Sequence, residues 1–225
     1  MYIMITSKCN MRCAHCCYSC GPQTGEHMSI ETFRACLTYI DNGDYITLGG
    51  GEPTVHQHFE KILLLAMGHV SNGQVHVITN GKNSERAMML LGLAKAGAIG
   101  AELSIDEYHE RIDQDVEDAW QEEAEHVRMC RMRQHETRSN VGIRNTTKNH
   151  EPFPHGRAVT ELGIEKEGAS NYICPCDGPI IKPNGDVMLC GCDDAPKIGD
   201  VLSGYEIPDM DVDYCTRFLN REVEA

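Results

Sequence analysis

The residues best able to do chemistry in this 225-residue chain are its twelve cysteines, and they are not scattered. Five fall between Cys9 and Cys20 and five between Cys174 and Cys215, with only Cys36 and Cys130 standing apart. Thiolates are soft ligands that select zinc, copper(I) or iron–sulfur clusters. Cys9, Cys13 and Cys16 have the spacing C-x3-C-x2-C in what reads as the loop leaving a first strand. A tight loop of this kind aims three thiolates at one point and leaves a fourth metal position without a protein ligand. Structural zinc sites are closed by four ligands, whereas an iron–sulfur cube with one open iron can take a substrate or cofactor. Spacing alone leaves a second arrangement open, because Cys13-x2-Cys16 followed by Cys17-x2-Cys20 also fits a four-thiolate zinc knot.

Something must position that loop, and the hydrophobic pattern predicts what. Tyr2–Thr6, Tyr45–Leu48, Val75–Thr79, Ile99–Ile105 and Val141–Arg144 read as short buried strands. Between them lie helical patterns: one capped by Ser29 and ended by Gly43, one carrying Phe59, Ile62, Leu63, Ala66 and Val70, one over Ser84–Ala96, and one over Asp115–His135. Strand starts recur about every 30 residues, the length of a β-α unit. This predicts an α/β fold, a partial (βα)5-6 barrel with parallel strands, since so few units cannot close an eight-fold barrel. The pattern breaks near residue 150. Asn184-Gly185 between two apolar runs predicts a hairpin, and with the surrounding cysteines it predicts a small cysteine-rich β-hairpin extension. The expected domains are residues 1–160 and 161–225.

The motifs at the strand ends carry a family resemblance. Cys9-Asn-Met-Arg-Cys13-Ala-His-Cys16 resembles the signature of the radical S-adenosylmethionine (SAM) superfamily, and Gly49-Gly50-Gly51-Glu52-Pro53 resembles its GGE motif. Ile78-Thr79-Asn80-Gly81 and Ser104-Ile-Asp106 match familiar positions after the third and fourth strands. Parallel sheets build their sites at these C-terminal ends. The resemblance implies that Cys9, Cys13 and Cys16 hold a [4Fe-4S] cluster whose open iron chelates SAM. Reductive cleavage then gives a 5′-deoxyadenosyl radical that takes a hydrogen atom from the substrate. It also implies cofactor contacts from Gly49, Gly50, Gly51, Glu52, Pro53, Asn80, Ser104 and Asp106, with His15 over the adenine and Arg144 on the SAM carboxylate.

Cys174, ten residues, Gly185, four residues and Cys190 resemble the opening of the auxiliary-cluster extensions called SPASM or twitch domains. The segment Gly156-Arg157-Ala158 resembles one common just upstream of them. Cys174, Cys176, Cys190, Cys192 and Cys215 are the candidate ligands of one auxiliary iron–sulfur cluster; a zinc-ribbon-like site on the same hairpin is the alternative. Cys20 and Cys130 are candidate hydrogen-atom donors to a substrate radical. The implied partners are a small-molecule or peptide substrate and an electron donor such as flavodoxin or ferredoxin.

Composition bounds the rest. The formal charge of −14, from 34 acidic against 20 basic side chains, argues against a broad nucleic-acid-gripping surface, although nucleic acid is not excluded. No apolar run is long enough for a membrane helix and no export signal opens the chain, so a cytoplasmic location is expected. Because the first strand begins at Tyr2, no leader-binding module is expected before the barrel. Glu102–Glu125 holds eleven acidic residues and one basic; 126–148 holds six basic residues and one acidic. The bland account is a solvated helix obeying its macrodipole; the sharper one is a basic rim at the barrel mouth. The expected reaction is hydrogen abstraction from an amino-acid or peptide-like substrate. Radical modification of a nucleoside or nucleobase is the alternative, and a non-catalytic iron–sulfur or zinc protein is the reading from another class.

Overall fold

The computed structural model describes residues 1–144, 156–164, 179–191 and 195–205. Strands β1 (Tyr2–Thr6), β2 (Ile46–Gly50), β3 (Val75–Thr79), β4 (Gly100–Ser104) and β5 (Val141–Arg144) alternate with helices α1 (Ile30–Leu37), α2 (Phe59–His69), α3 (Ser84–Lys95) and α4 (Gln114–Met132). A six-residue helix, α5 (Arg157–Leu162), precedes β6 (Ile180–Ile181), β7 (Asp186–Met188), β8 (Lys197–Asp200) and β9 (Gly204–Tyr205). The sheet order is β5-β4-β3-β2-β1-β6-β7-β8-β9. Every pairing from β5 to β6 is parallel and every one from β6 to β9 antiparallel. The partial barrel of parallel strands is therefore present. Its extension is not detached: Ile180 and Ile181 pair with Tyr2 and Ile3, so the hairpin occupies the edge that β1 would otherwise leave unpaired.

Side-chain alternation divides the sheet into two faces. Ile3, Ile5, Ile46, Leu48, Val75, Val77, Ala101, Leu103 and Val141 turn outward and pack with Phe33, Phe59, Leu90 and Trp120 of the helices into one buried core. The opposite face carries Tyr2, Met4, Thr47, His76, Glu102, Ser104 and Arg144. A closed barrel fills that space with branched apolar residues; here Met4 and Ile78 share it with the polar Thr47, His76, Glu102, Ser104 and Arg144.

Caps follow from sequence. The side chains of Ser29, Asn83 and Asp113 accept backbone N–H groups of Thr32, Arg86 and Asp115 at the starts of α1, α3 and α4. Helix α1 ends at Leu37 rather than at Gly43, because the N–H groups of Thr38, Tyr39 and Ile40 reach back three residues, to Ala35, Cys36 and Leu37, in a tightened turn. Strand β2 runs on into Gly49 and Gly50, which pair with Met4 and Thr6; hydrophobic pattern alone stopped it at Leu48. The hairpin turn is as expected, with Gly185 at φ +95 and its N–H on Lys182 O at 2.9 Å.

Helix polarity fixes where the arginines go. Helix α4 returns from the C-terminal end of β4 to the start of β5, so its last turn lies at the N-terminal ends of the strands. The 138–140 segment confirms this, since Asn140 N–H bonds Ala94 O at the end of α3. Arg128, Arg131 and Arg133 are thus at the end of the barrel opposite the cysteine loop, and the expected basic rim is not at the mouth. Arg128 is paired with Glu125 at i,i+3, as the bland account had it.

The glycine run is explained by contact. A Cβ on Gly51 would sit 2.2 Å from Lys8 O, and one on Gly50, at φ +133, 2.0 Å from Thr6 O. By contrast Gly92, inside α3, has nothing within 4 Å of its Cβ position. Gly51→Ala is expected to lower unfolding free energy by roughly 3 kcal/mol, and Gly92→Ala to raise it by about 0.5–1 kcal/mol. Denaturant titration of the two variants checks this; equal effects would contradict it.

Candidate active site

The cysteine loop has few internal bonds and is held from outside. Within it, the N–H of Cys16 bonds Cys13 O (3.2 Å) and that of Met11 bonds Cys9 Sγ (3.4 Å), while the following turn adds Ser19 N–H on Cys16 O (3.2 Å) and Gly21 O as acceptor of the N–H of Cys9 (3.3 Å). From the end of β2, the N–H groups of Gly51 and Glu52 donate to Thr6 O and Lys8 O at 2.8 and 2.9 Å. From the end of β3, Asn80 Nδ2 reaches Asn10 Oδ1 at 2.9 Å and Cys9 Sγ at 3.6 Å, while Lys82 Nζ donates to Asn10 O at 3.0 Å. From beyond β4, Glu110 Oε1 accepts the N–H of Arg12 at 3.2 Å.

Glu52 ties these ends together. Its side chain is 1% exposed. Oε1 accepts from Thr54 N–H (3.0 Å), Thr54 Oγ1 (2.6 Å) and Thr79 Oγ1 (2.8 Å), and Oε2 from Asn80 N–H (2.7 Å). Burial pushes its carboxyl above the ordinary value, and the four donors pull the other way. Pro53 opens the short 3-10 turn Pro53–Val55 and is buried beside it. Gly49 passes under the ring of Tyr2, whose hydroxyl accepts the Gly50 N–H at 2.9 Å.

After β4, Asp106 collects a second group. His109 Nδ1 lies 2.8 Å from Oδ1, and the Tyr108 N–H donates to the same oxygen at 2.9 Å. His15 Nε2 sits 3.3 Å from Oδ2 without hydrogen-bond alignment, so Oδ2 and His15 Nδ1 remain buried and unmatched among the described residues. Burial works against the charge of Asp106, but the bonds from His109 and Tyr108 and the nearby imidazoles hold its carboxyl below the ordinary value. Burial lowers the His15 value. The three side chains are close enough to ligate one ion, yet the hydrogen bond and ion pair account for that closeness. His15 also stacks at 5.2 Å from Tyr108.

These features test the implied cofactors. Burial raises the thiols of Cys9 to about 11 and Cys13 to about 12, while a hydrogen bond with the Cys20 thiol lowers Cys16 and raises Cys20. A bound metal's charge supplies the stabilisation that burial withholds from a thiolate. Three thiols on a loop with an amide and an asparagine donor at Cys9 suit a cluster. The unmatched acceptors on Asp106 and His15 suit a ligand with hydroxyl donors, such as the ribose of SAM.

The residues named from sequence do not all converge. Cys9, Cys13, Cys16, His15, Gly49–Gly51, Glu52, Pro53, Asn80 and Asp106 are brought together, with Ser104 and Arg144 paired in register on the inner face. Cys20 lies beside the loop. Cys130 does not: near the end of α4, 3.6 Å from His126 Nε2, it is at the far end of the barrel. Cys190 follows β7, half-buried; Cys174, Cys176, Cys192 and Cys215 lie outside the described residues. His109, three residues after Asp106, and Arg157, in the Gly156-Arg157-Ala158 segment, went unassigned from sequence. Cys36 is core, its thiol 3.2 Å from Thr32 O.

The family model described as the Radical SAM superfamily matches residues 3–151. A GTP 3′,8-cyclase from Chlorobaculum tepidum is 32% identical over 106 residues, 46% of this chain and 32% of that protein. Mycofactocin maturase MftC from Mycobacterium ulcerans is 32% identical over 109 residues, 45% of this chain and 27% of that protein. The matches thus span less than a third of those relatives' length. BtrN in complex with AdoMet and 2-DOIA superposes with a TM-score of 0.57 at 12% identity, covering 99% of this chain and 84% of that one. For anSMEcpe with bound AdoMet and Cp18Cys peptide the values are 0.52, 15%, 91% and 77%. These two share the fold. Among the described residues no helix is long and apolar enough to cross a membrane.

The Glu52 clasp generates a stability prediction. Glu52→Gln keeps the shape but turns one acceptor into a donor facing other donors, which is expected to cost about 2 kcal/mol. Chemical denaturation checks it, and an unchanged midpoint would mean that the clasp contributes nothing.

Proposed function

The chain belongs to the radical SAM superfamily, and from that premise we propose that it removes a hydrogen atom from an amino-acid or peptide-like substrate. It is a radical SAM enzyme, and the non-catalytic metal-binding reading gives way to that membership. The family brings a [4Fe-4S] cluster and SAM, which together supply a 5′-deoxyadenosyl radical when the cluster is reduced. Cys9, Cys13 and Cys16 would hold the cluster. The Gly49–Gly51 backbone packs closely against Tyr2, Thr6 and Lys8 and so fixes the strand end beside which the cofactor would lie, and Asp106 would accept from its hydroxyls with His15 alongside. Ser104 and Arg144 face the same interior.

The observation that carries the substrate reading is the polar inner wall. Glu102, on β4, sits beside Gly142 of β5, two residues before Arg144. An anion and a cation on adjacent strands suit the ammonium and carboxylate of an amino-acid unit, which would give Arg144 to the substrate in place of the SAM carboxylate expected from sequence. The fold neighbour anSMEcpe carries a bound Cp18Cys peptide, a ligand of matching kind. The GTP 3′,8-cyclase match favours the nucleotide alternative, but the arginines that motivated it on sequence lie at the opposite end of the barrel. Three or four of the five C-terminal cysteines are proposed to hold one auxiliary cluster in the unit expected at 161–225, and flavodoxin or ferredoxin is the proposed class of electron donor.

Anaerobically reconstituted protein given dithionite and SAM is expected to release 5′-deoxyadenosine, and Cys13→Ala to release none. Addition of peptides, and not of nucleoside triphosphates, is expected to stimulate release. Stimulation by nucleotides alone would favour the alternative. Iron and sulfide are expected near eight each per chain, for two cubes, falling to about four in Cys190→Ala; four in both would remove the auxiliary cluster.

A further inference from the structure

Arg157 is the strongest buried group that the functional reading leaves unused. It opens α5 and is only 8% exposed, which is rare for arginine unless it is paired. No carboxylate partners it among the described residues. Its Nε donates to Cys13 O at 2.9 Å and its own N–H to Cys16 O at 3.0 Å. Gly156 before it makes the approach possible: at φ +55, a Cβ there would lie 2.5 and 2.6 Å from the carbonyl oxygens of Cys17 and Cys16. On the next turn Glu161 forms a two-pronged pair with Arg12 of the loop. Helix α5 is therefore pinned to the cysteine loop from both sides.

One donor is left over. Arg157 Nη2 is buried and has no hydrogen-bond partner among the described residues. A buried cationic N–H without an acceptor costs several kilocalories unless something anionic meets it. The guanidinium also exerts its charge on Cys9, Cys13, Cys16 and His15 alike, so it stands near all three thiols.

We propose that Arg157 is the fixed cation of the cluster site, its Nη2 donating to a sulfur of the bound iron–sulfur cluster. The inference rests on the radical SAM reading. Reduction adds one negative charge to the cluster, and a guanidinium held against its sulfurs favours that charge. Hydrogen bonding to the sulfurs and local charge are among the factors that set such potentials. Arg157 is a positioning and tuning residue, and it contacts no substrate.

The test compares wild type with Arg157→Gln, Arg157→Lys and, as an exposed control, Arg128→Gln, all as the full chain reconstituted anaerobically. The readouts are iron and sulfide content, the cluster's midpoint potential without SAM, and SAM affinity. In Arg157→Gln the equilibrium constant for reduction is expected to fall about tenfold, 59 mV for one electron, at unchanged iron content. Arg157→Lys keeps the charge and is expected to stay within about threefold of wild type; if the glutamine variant does not load, a lysine variant that loads but shifts the equilibrium constant about tenfold or more would overturn the proposal. Wild-type potentials in both variants would overturn the proposal. So would weaker SAM binding at unchanged potential, which would assign Nη2 to the SAM carboxylate. A wild type that takes up no iron would instead defeat the family reading.

Discussion

Three thiols can share one cluster only if an eight-residue stretch without regular structure keeps one shape, and that constraint organises the rest of the molecule. The Cys9–Cys16 loop has too few internal bonds to do this alone. Its carbonyls and N–H groups are taken up by the end of β3, the segment after β4, and α5, while the end of β2 holds Thr6 O and Lys8 O just before it. Glu52 is the joint: one buried carboxylate binds the turn after β2 to the end of β3, while its own N–H holds Lys8 O. The glycines before it have no room for a Cβ: the Tyr2 ring fills the space at Gly49, and the backbone carbonyls of Thr6 and Lys8 fill it at Gly50 and Gly51. What a family motif marks as cofactor binding is here, first, a packing requirement.

The same arrangement explains why the chemistry sits at one end. Parallel strands deliver their C-terminal ends to one side, and helix polarity sends the arginine-rich stretch to the other. Charge counts along the chain cannot see this, because they carry no direction. The polar inner wall follows from strand period: outward positions are consumed by the helices, leaving His76, Glu102 and Arg144 for the cavity side.

Much of the fold was legible. β3 and β5 have the bounds that their alternating apolar runs predict, and the Ser29 cap stands where the sequence placed it; the caps at Asn83 and Asp113 emerge only from the structure. The misses have physical causes. Gly43 looked like a helix stop, but three-residue backbonding ended α1 at Leu37 earlier. β2 ran into glycines because pairing with β1, a tertiary effect, outweighs their weak strand preference. At the site, motifs pointed to Cys9, Cys13, Cys16, Glu52 and Asp106, yet not to His109 or Arg157. Their roles come from contacts across the chain, over 144 residues for Arg157 with Cys13 O, and no local spacing encodes those.

The central claim is that three protein thiolates leave one iron of a cube open for SAM. Electron paramagnetic resonance of the dithionite-reduced, reconstituted protein, with and without SAM, tests it most directly, using a C-terminal cysteine variant to remove any second signal. The account predicts a reduced-cluster spectrum that changes on adding SAM and disappears in Cys9→Ala. A spectrum indifferent to SAM, or a zinc-loaded protein without sulfide, would contradict it.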